Sequence, residues 1–324
     1  MTLYPLRFKP VFKDYLWGGA RMKTVLGKNT KKNPCAESWE ISGVSGNISI
    51  VANGFLKGNN LQELIEIYMG DLVGDKVYER FGIEFPVLIK FIDALDDLSI
   101  QVHPNDEMAA QRHNAYGKTE MWYVMEAEAN SSVIMGFNQK MNRKNFMEAL
   151  REKKVKKIMN YEKVSPGDVF YIPAGRVHAL GKNILLAEIQ QTSDITYRIH
   201  DWERVDAKGN MRELHIELAL DAIDYTQHNE YITRYKKIEQ GTAELVKCHH
   251  FTTNLVTLKS PMEKDYQQLD SFVVYICTSG TCSITWGAAE SMLLKKGETI
   301  LLPAAIDSVR LIPAEATEIL EVYI

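Results

Sequence analysis

Four residues with metal-ligand chemistry stand in three short segments of this chain. Gln101 and His103 lie in Leu98-Ser99-Ile100-Gln101-Val102-His103-Pro104, Glu120 in Gly117-Lys118-Thr119-Glu120, and His178 in Pro173-Ala174-Gly175-Arg176-Val177-His178. Two imidazoles, one carboxylate and one amide oxygen suit a borderline divalent cation such as zinc, with a position left for water or substrate. Singly, each residue says little, because a lone histidine is more often structural than a ligand. Strand geometry adds weight. Side chains alternate between faces, so Ser99, Gln101 and His103 share one face and Leu98, Ile100 and Val102 the other. Three polar groups buried without partners would be costly, so their face must look into water or a site. Lys118 and Glu120 are two apart and point the same way. His178 follows a Pro-Ala-Gly turn that puts it at a strand end. A small β-barrel is the element that brings such distant strand ends together.

A second candidate pair is Glu188 and Arg198, which flank a turn at Gln191-Thr192-Ser193-Asp194. A hairpin there would set them across from each other, either as a plain cross-strand ion pair or as a general base beside an anion-stabilising guanidinium. Local sequence favours the ion pair. Other chemistries find no support: Gly-x-Ser-x-Gly, Gly-x-x-x-x-Gly-Lys-[Ser/Thr] and Gly-x-Gly-x-x-Gly are absent. His249-His250 reads as a surface or strand-edge pair. Asp93, Asp96 and Asp97 read as a solvated turn.

The elements that must carry these residues are mostly short strands between turns. Strands are expected over 85–92, 98–102, 121–125, 132–137, 169–172, 184–190 and 195–199. Helices interrupt them. Asn60-Leu61-Gln62-Glu63 has the form of a capping box, followed by Leu61, Leu64, Ile65, Tyr68 and Met69 at helical spacing. Asn142 can cap a second helix carrying Phe146 and Leu150. Leu214, Leu218, Ala222 and Ile223 mark a third. The basic run 151–157 reads as the solvated end of a helix. From about Lys247 onward the pattern is strand only.

There is also an internal repeat. Ser165-Pro166-Gly167-Asp168-Val169-Phe170-Tyr171-Ile172-Pro173-Ala174 resembles Lys295-Lys296-Gly297-Glu298-Thr299-Ile300-Leu301-Leu302-Pro303-Ala304. His178 lies eleven residues after Gly167, whereas Ser308 lies eleven after Gly297. The repeat suggests two similar β-barrels of which only the first keeps its ligand; chance similarity between two strand-turn segments is the alternative.

The chain has 324 residues, enough for two domains, with 45% hydrophobic and 25% charged residues. The net charge of −4 gives no sign of a nucleic-acid-binding protein. The start has no apolar signal-peptide core and no run long enough to span a bilayer. Cys35, Cys248, Cys277 and Cys282 are scattered with no Cys-x-x-Cys pair, so neither a disulfide scaffold nor a cysteine zinc site is indicated. A cytoplasmic location is the simplest expectation, with no membrane, nucleic-acid or obligate protein partner in evidence.

The segments Lys9 to Gly19, Ala36-Glu37-Ser38-Trp39-Glu40-Ile41-Ser42, Leu98 to Asp106, Gly117 to Trp122, Pro173 to Leu180 and Glu188 to Trp202 together resemble type I phosphomannose isomerases of the cupin superfamily, in their short bacterial form. The resemblance implies a mainly β, double-cupin fold: two jelly-roll barrels with helices added in the N-terminal part. Residues 1–240 would form the metal-bearing catalytic domain and 241–324 a cupin without metal ligands. It implies one zinc per chain held by Gln101, His103, Glu120 and His178. It implies that Arg198 is an active-site residue, that Glu188 is the acid/base, and that Lys118 stands in the pocket wall. Ser99 and Lys90 would face the substrate phosphate. Arg204, which stands where eukaryotic members have a lysine, would be a further substrate-binding residue. The expected reaction interconverts mannose 6-phosphate and fructose 6-phosphate through a cis-enediol. The rival expectations are a non-catalytic sugar-binding cupin and a metal-dependent cupin dioxygenase.

Overall fold

The run Val-Leu-Ile-Lys-Phe-Ile-Asp-Ala at 87–94 has apolar residues at nearly every place, as a strand covered on both faces requires. In the computed structural model, which describes residues 2–205, 208–288 and 290–324, this strand is buried throughout. It lies inside a six-stranded sheet ordered Val169–Ile172, Glu120–Ala127, Ile184–Gln191, Val87–Ala94, Glu37–Ile41 and Val11–Lys13. A five-stranded sheet of Tyr197–His200, Ile100–Val102, His178–Ala179, Ser132–Phe137 and Met159–Lys163 faces it. Ile92, Trp122, Val124, Phe170 and Leu186 from the first sheet pack against Val133, Met135 and Leu180 in one core.

From Gly241 on, every described regular element is a strand. A five-stranded sheet of Gly241–Lys247, Thr252–Leu258, Thr317–Tyr323, Val273–Ser279 and Thr299–Leu302 pairs with a four-stranded sheet of Met262–Asp265, Ser308–Pro313, Thr281–Trp286 and Glu290–Lys295. Tyr275, Cys277 and Ile319 meet Cys282, Ile284 and Leu311 between them. The two units also pack sheet on sheet: Ile89, Phe91, Tyr123 and Ala187 share an apolar core with Leu255, Val274, Ile276 and Leu320. The N-terminal segment crosses over as well, with Leu6 and Leu301 exchanging backbone hydrogen bonds of 2.8 and 2.9 Å.

The repeat is reproduced bond for bond. The Gly167 N–H donates to the Val124 carbonyl and the Gly297 N–H to that of Cys277, each at 2.8 Å. Ser165 N–H donates to Asp168 Oδ2 at 2.7 Å, and Lys295 N–H to Glu298 Oε2 at 2.9 Å. Both glycines need positive φ, +88° and +82°, which only glycine adopts without strain. Each following strand then takes the edge of its sheet.

The expected capping box is complete: Asn60 accepts from Glu63 N–H and Glu63 accepts from Asn60 N–H, at the head of the helix Leu61–Val73. Met69 departs from expectation. It sits at a kink with φ +45° and is 49% exposed, because the helical spacing is interrupted there. Asn142 caps Arg143–Arg151 through the Asn145 N–H. The third helix, Ile216–Ala222, buries Ala219 and Leu220 rather than Leu214, which is exposed. After Arg151 the basic run folds back as a 3₁₀ turn over Val155–Ile158 with Val155 buried. Asp93 is not in a solvated turn: it is fully buried and paired with Arg21 at 2.7 Å. No helix of the described residues is long and apolar enough to cross a membrane.

Candidate active site

Antiparallel register explains why the three ligand segments meet. His178 pairs directly with Gln101 in the five-stranded sheet, and Ile172, just before the turn that leads to His178, pairs with Glu120 in the other sheet. The Pro173–Val177 turn therefore carries the chain from one sheet to the other, closing the two ligand sets on each other. His103 Nε2 lies 3.2 Å from Glu120 Oε1 and His178 Nε2 lies 3.5 Å from Glu120 Oε2. The ligand atoms of His103, Glu120 and His178 all lie within 4.8 Å of one another, and all three residues are buried.

Three observations test the fit of this cluster to a metal. Each Nδ1 faces a backbone carbonyl at 2.9 Å, His103 that of Ile195 and His178 that of Arg176. Those contacts set the tautomer that leaves both Nε2 atoms as lone-pair donors toward the centre. Burial holds both imidazoles neutral; His103 is pushed down to about 3, with the Lys118 charge acting in the same direction. Glu120 stays ionised: burial opposes its charge, but the Lys118 ammonium beside it overcomes that and holds it well below the usual carboxylate range. Its Oε2 is buried with no hydrogen-bond partner among the described residues, an arrangement that is costly unless something positive sits there. Two neutral imidazoles and a carboxylate fit zinc. Gln101 comes 3.5 Å from His178 Nε2 with its amide, placing it at the edge of the same cluster.

Above the cluster opens a cavity of about 280 Å³, with Gln101, Lys118 and Trp122 among its lining residues. Lys118 Nζ lies 3.1 Å from Glu120 Oε1 and 3.4 Å from His103 Nε2. One wall carries Glu188, which is gripped by Lys90 Nζ at 2.9 Å and by the Trp122 indole N–H at 2.9 Å. Both members of the Lys90–Glu188 pair are buried. Burial pushes the Glu188 carboxyl up, against the opposing pull of Lys90. Burial likewise works against the Lys90 ammonium, but Glu188 and Glu37 outweigh it and hold it protonated. Ser99 lines the same cavity.

Arg198 lines the cavity from the other sheet, and here the expected hairpin fails. Tyr197–His200 pairs with Ile100–Val102, not with Ile184–Gln191. The 191–194 turn takes the chain across to the opposite sheet, so Glu188 and Arg198 face one space without forming an ion pair. Arg198 Nη1 donates to the Glu213 carbonyl at 2.9 Å, and its Nε is buried without a partner among the described residues. Arg204 does not line this cavity. Its guanidinium is tied to Asp201 at 2.6 Å and approaches Asp96 at 3.8 Å. The cavity contains residues to which no role was assigned from sequence: Trp17, Glu37 and Trp39, which lie in the segments that carried the resemblance, and Arg212, which lies outside all of them.

The family model of the phosphomannose isomerase type I catalytic domain matches residues 5–129. The chain is 35% identical to the mannose-6-phosphate isomerase ManA of Bacillus subtilis over 96% of each chain. It is 32% identical to a mannose-6-phosphate isomerase of Streptococcus mutans over 94% of each. The crystal structure of the mannose 6-phosphate isomerase from Bacillus subtilis matches with a TM-score of 0.89 at 29% identity, covering 99% of this chain and 100% of that one. With a buried His-Glu-His cluster beneath a cavity that holds a lysine-paired glutamate and an arginine with no carboxylate partner among the described residues, and with relatives matched over nearly their whole length, this chain belongs to the type I phosphomannose isomerase family.

Proposed function

We propose that the chain catalyses the reversible interconversion of mannose 6-phosphate and fructose 6-phosphate, with one zinc held by His103, Glu120 and His178 and approached by Gln101. Both two-sheet units are taken as cupin jelly rolls, 1–240 catalytic and 241–324 without metal. The observation that carries the chemistry is Glu188, a buried carboxylate whose charge is opposed by burial yet held in place by Lys90 and Trp122. Such a group is a stronger base than an exposed glutamate, and a buried ion pair is retained more readily for chemistry than for stability.

Aldose–ketose isomerisation requires a proton to leave C2 and return to C1 through an enediol. Glu188 takes and returns that proton, and Lys90 stabilises its ionised form between transfers. Zinc, when bound, supplies Lewis acidity to the sugar oxygens. Lys118, beside Glu120, donates an N–H to the same region of the substrate. Arg198 provides positive charge on the far side, against developing negative charge or the phosphate. The indoles of Trp17, Trp39 and Trp122 supply apolar surface among the charged groups that line the cavity, which lowers the local dielectric around them. Four unpaired cysteines accord with a reducing cytoplasm.

A coupled assay for fructose 6-phosphate formation, run on parent and Glu188→Gln, tests this function. The parent is expected to turn over, and the variant to lose roughly 100- to 10,000-fold in kcat with its metal intact. Oxygen consumption with iron and no sugar isomerisation would instead identify a dioxygenase.

A further inference from the structure

The cavity's positive charges divide into two kinds. Lys90 and Lys118 are each paired with a buried carboxylate, Glu188 at 2.9 Å and Glu120 at 3.1 Å. On the side of the five-stranded sheet that contains Tyr197–His200, Arg198 and Arg212 both line the cavity. Arg198 has no carboxylate within ion-pair distance among the described residues, only the Glu213 carbonyl. The guanidiniums of Arg204 and Arg212 share one buried carboxylate, Asp201. Three guanidiniums gather around this one buried acid. Of the other carboxylates lining the cavity, Glu188 pairs with Lys90, Glu37 accepts the Trp39 indole N–H at 2.6 Å, and Asp194 is exposed to solvent; among the described residues none forms an ion pair with Arg198 or Arg212.

The placement of Arg212 is built rather than incidental. Asp201 engages its Nε at 2.7 Å and also its Nη2, a two-point grip that fixes the plane of the guanidinium. The next residue, Glu213, is the one whose carbonyl holds Arg198. His215 N–H then donates to the Arg198 carbonyl at 2.8 Å, and Arg198 N–H to His215 Nδ1 at 3.2 Å. The segment 212–215 thus runs alongside the Tyr197–His200 strand and delivers the two arginines as neighbours. Their closeness registers in Arg198, which burial and then the Arg212 charge hold below its ordinary value. Arg198 Nε is buried without a partner among the described residues, a donor that an anion in the cavity would satisfy. Nη1 of Arg212 carries no contact among the described residues, leaving donors for that anion.

We propose that Arg212, positioned by Asp201, joins Arg198 to form the seat of the substrate's phosphate dianion. The proposal rests on the isomerase function above and narrows it: Arg198 acts on the phosphate, Arg212 is a second binding residue, Asp201 is a positioning residue, and Arg204 serves only to hold Asp201. Guanidinium forks match phosphate oxygens in pairs, which ammonium groups do not.

The test compares the parent with Arg212→Ala, Arg212→Lys, Asp201→Asn and Arg204→Ala. It reads KM and kcat for mannose 6-phosphate, the inhibition constant of inorganic phosphate, and phosphate binding by phosphorus NMR titration. Melting and zinc content confirm that each variant is folded. Arg212→Ala is expected to raise both KM and the phosphate constant by about 10-fold or more, with the loss falling on KM rather than kcat. Arg212→Lys should recover part of the loss, and Asp201→Asn should fall between it and the alanine variant. Arg204→Ala removes the same charge outside the cavity and loosens Asp201 without breaking its two-point grip on Arg212, so it should move either constant less than Asp201→Asn does. Parental values for folded Arg212→Ala would overturn the proposal, and equal effects of Arg204→Ala and Arg212→Ala would overturn the seat in favour of a diffuse field. A parent that binds phosphate through Arg212 yet does not turn over mannose 6-phosphate would leave the seat standing and remove the isomerase function.

Discussion

The two β units share one scaffold and differ in what fills it. Ladder register makes the correspondence residue by residue. Ile172 faces Glu120 as Leu302 faces Val273, and His178 faces Gln101 as Ser308 faces Asp265. The places of Glu120, His178 and Gln101 are therefore taken in the second unit by Val273, Ser308 and Asp265. Glu188 faces Trp122 and Lys90, and the matching Glu321 faces Tyr275 and Asn254. The second unit carries a buried acid at the place of Glu188. Its environment is closed, however: Glu321 is met by Tyr266 Oη at 2.6 Å, Lys264 Nζ at 2.7 Å and Asn254 Nδ2 at 2.9 Å. Tyr266 and Tyr275 also touch each other over the carboxylate. In the first unit the equivalent carboxylate borders a cavity; in the second, tyrosines occupy that space and every contact is internal. A polar cluster of that kind is structural, since its members satisfy one another. The same scaffold thus becomes an active site or a supporting wall according to whether its acid is left facing open space.

The largest expected difference between the units follows from their ligand positions. His178→Ala and Glu120→Ala should each lose bound metal and turnover together, whereas Ser308→Ala should change neither; metal analysis beside the coupled assay decides. Full zinc occupancy in Glu120→Ala would remove that residue from the ligand set. Gln101→Ala should retain part of the metal, an amide oxygen being the weakest donor of the four.

Next come the matched acids. Glu188→Gln is expected to abolish most of kcat and also to lower melting, because it leaves the buried Lys90 ammonium without its carboxylate. Glu321→Ala should likewise cost about 3–5 kcal/mol of stability because it strands a largely buried Lys264, while leaving kcat near the parent. A loss of kcat in folded Glu321→Ala would break the distinction between the units. The pH profile sharpens it. Glu188 must be deprotonated to act as base, and burial raises its value, so kcat should fall as pH drops through a limb lying above the ordinary glutamate range, and that limb should vanish in Glu188→Gln.

The smallest effect separates the repeat's two glycines. A Cβ on Gly297 would meet the Leu26 carbonyl oxygen at 2.7 Å, which is backbone, whereas one on Gly167 would meet the flexible tip of Lys237 at 2.8 Å. Both carry the cost of positive φ, about 1–2 kcal/mol, so Gly297→Ala should melt lower than Gly167→Ala. Equal melting would mean that the N-terminal crossover at Leu26 yields easily.

Much of this was legible in the sequence where the signal is local. The strands at 132–137 and 169–172 have the expected bounds, and the Asn60 and Asn142 caps form as their residue types dictate. The shared face of Gln101 and His103 follows from alternation alone. What was missed depends on distant partners. Glu188 and Arg198 looked like a hairpin pair because the turn between them is short, but nothing local says that the chain changes sheets there. Asp93 looked solvated because its partner, Arg21, is 72 residues away. Arg212 belongs to no motif; Asp201 and the 213–215 pairing place it, and both are tertiary.

The most direct test of the central claim is a zinc titration of metal-stripped protein, followed by atomic emission and by mannose 6-phosphate turnover on the same samples. One active unit and one filled unit predict an inactive, folded apoprotein whose activity rises to a plateau at about one zinc per chain, the capacity of a single ligand set. Full turnover by the stripped protein, or a plateau reached only at a second zinc that His178→Ala still binds, would contradict it.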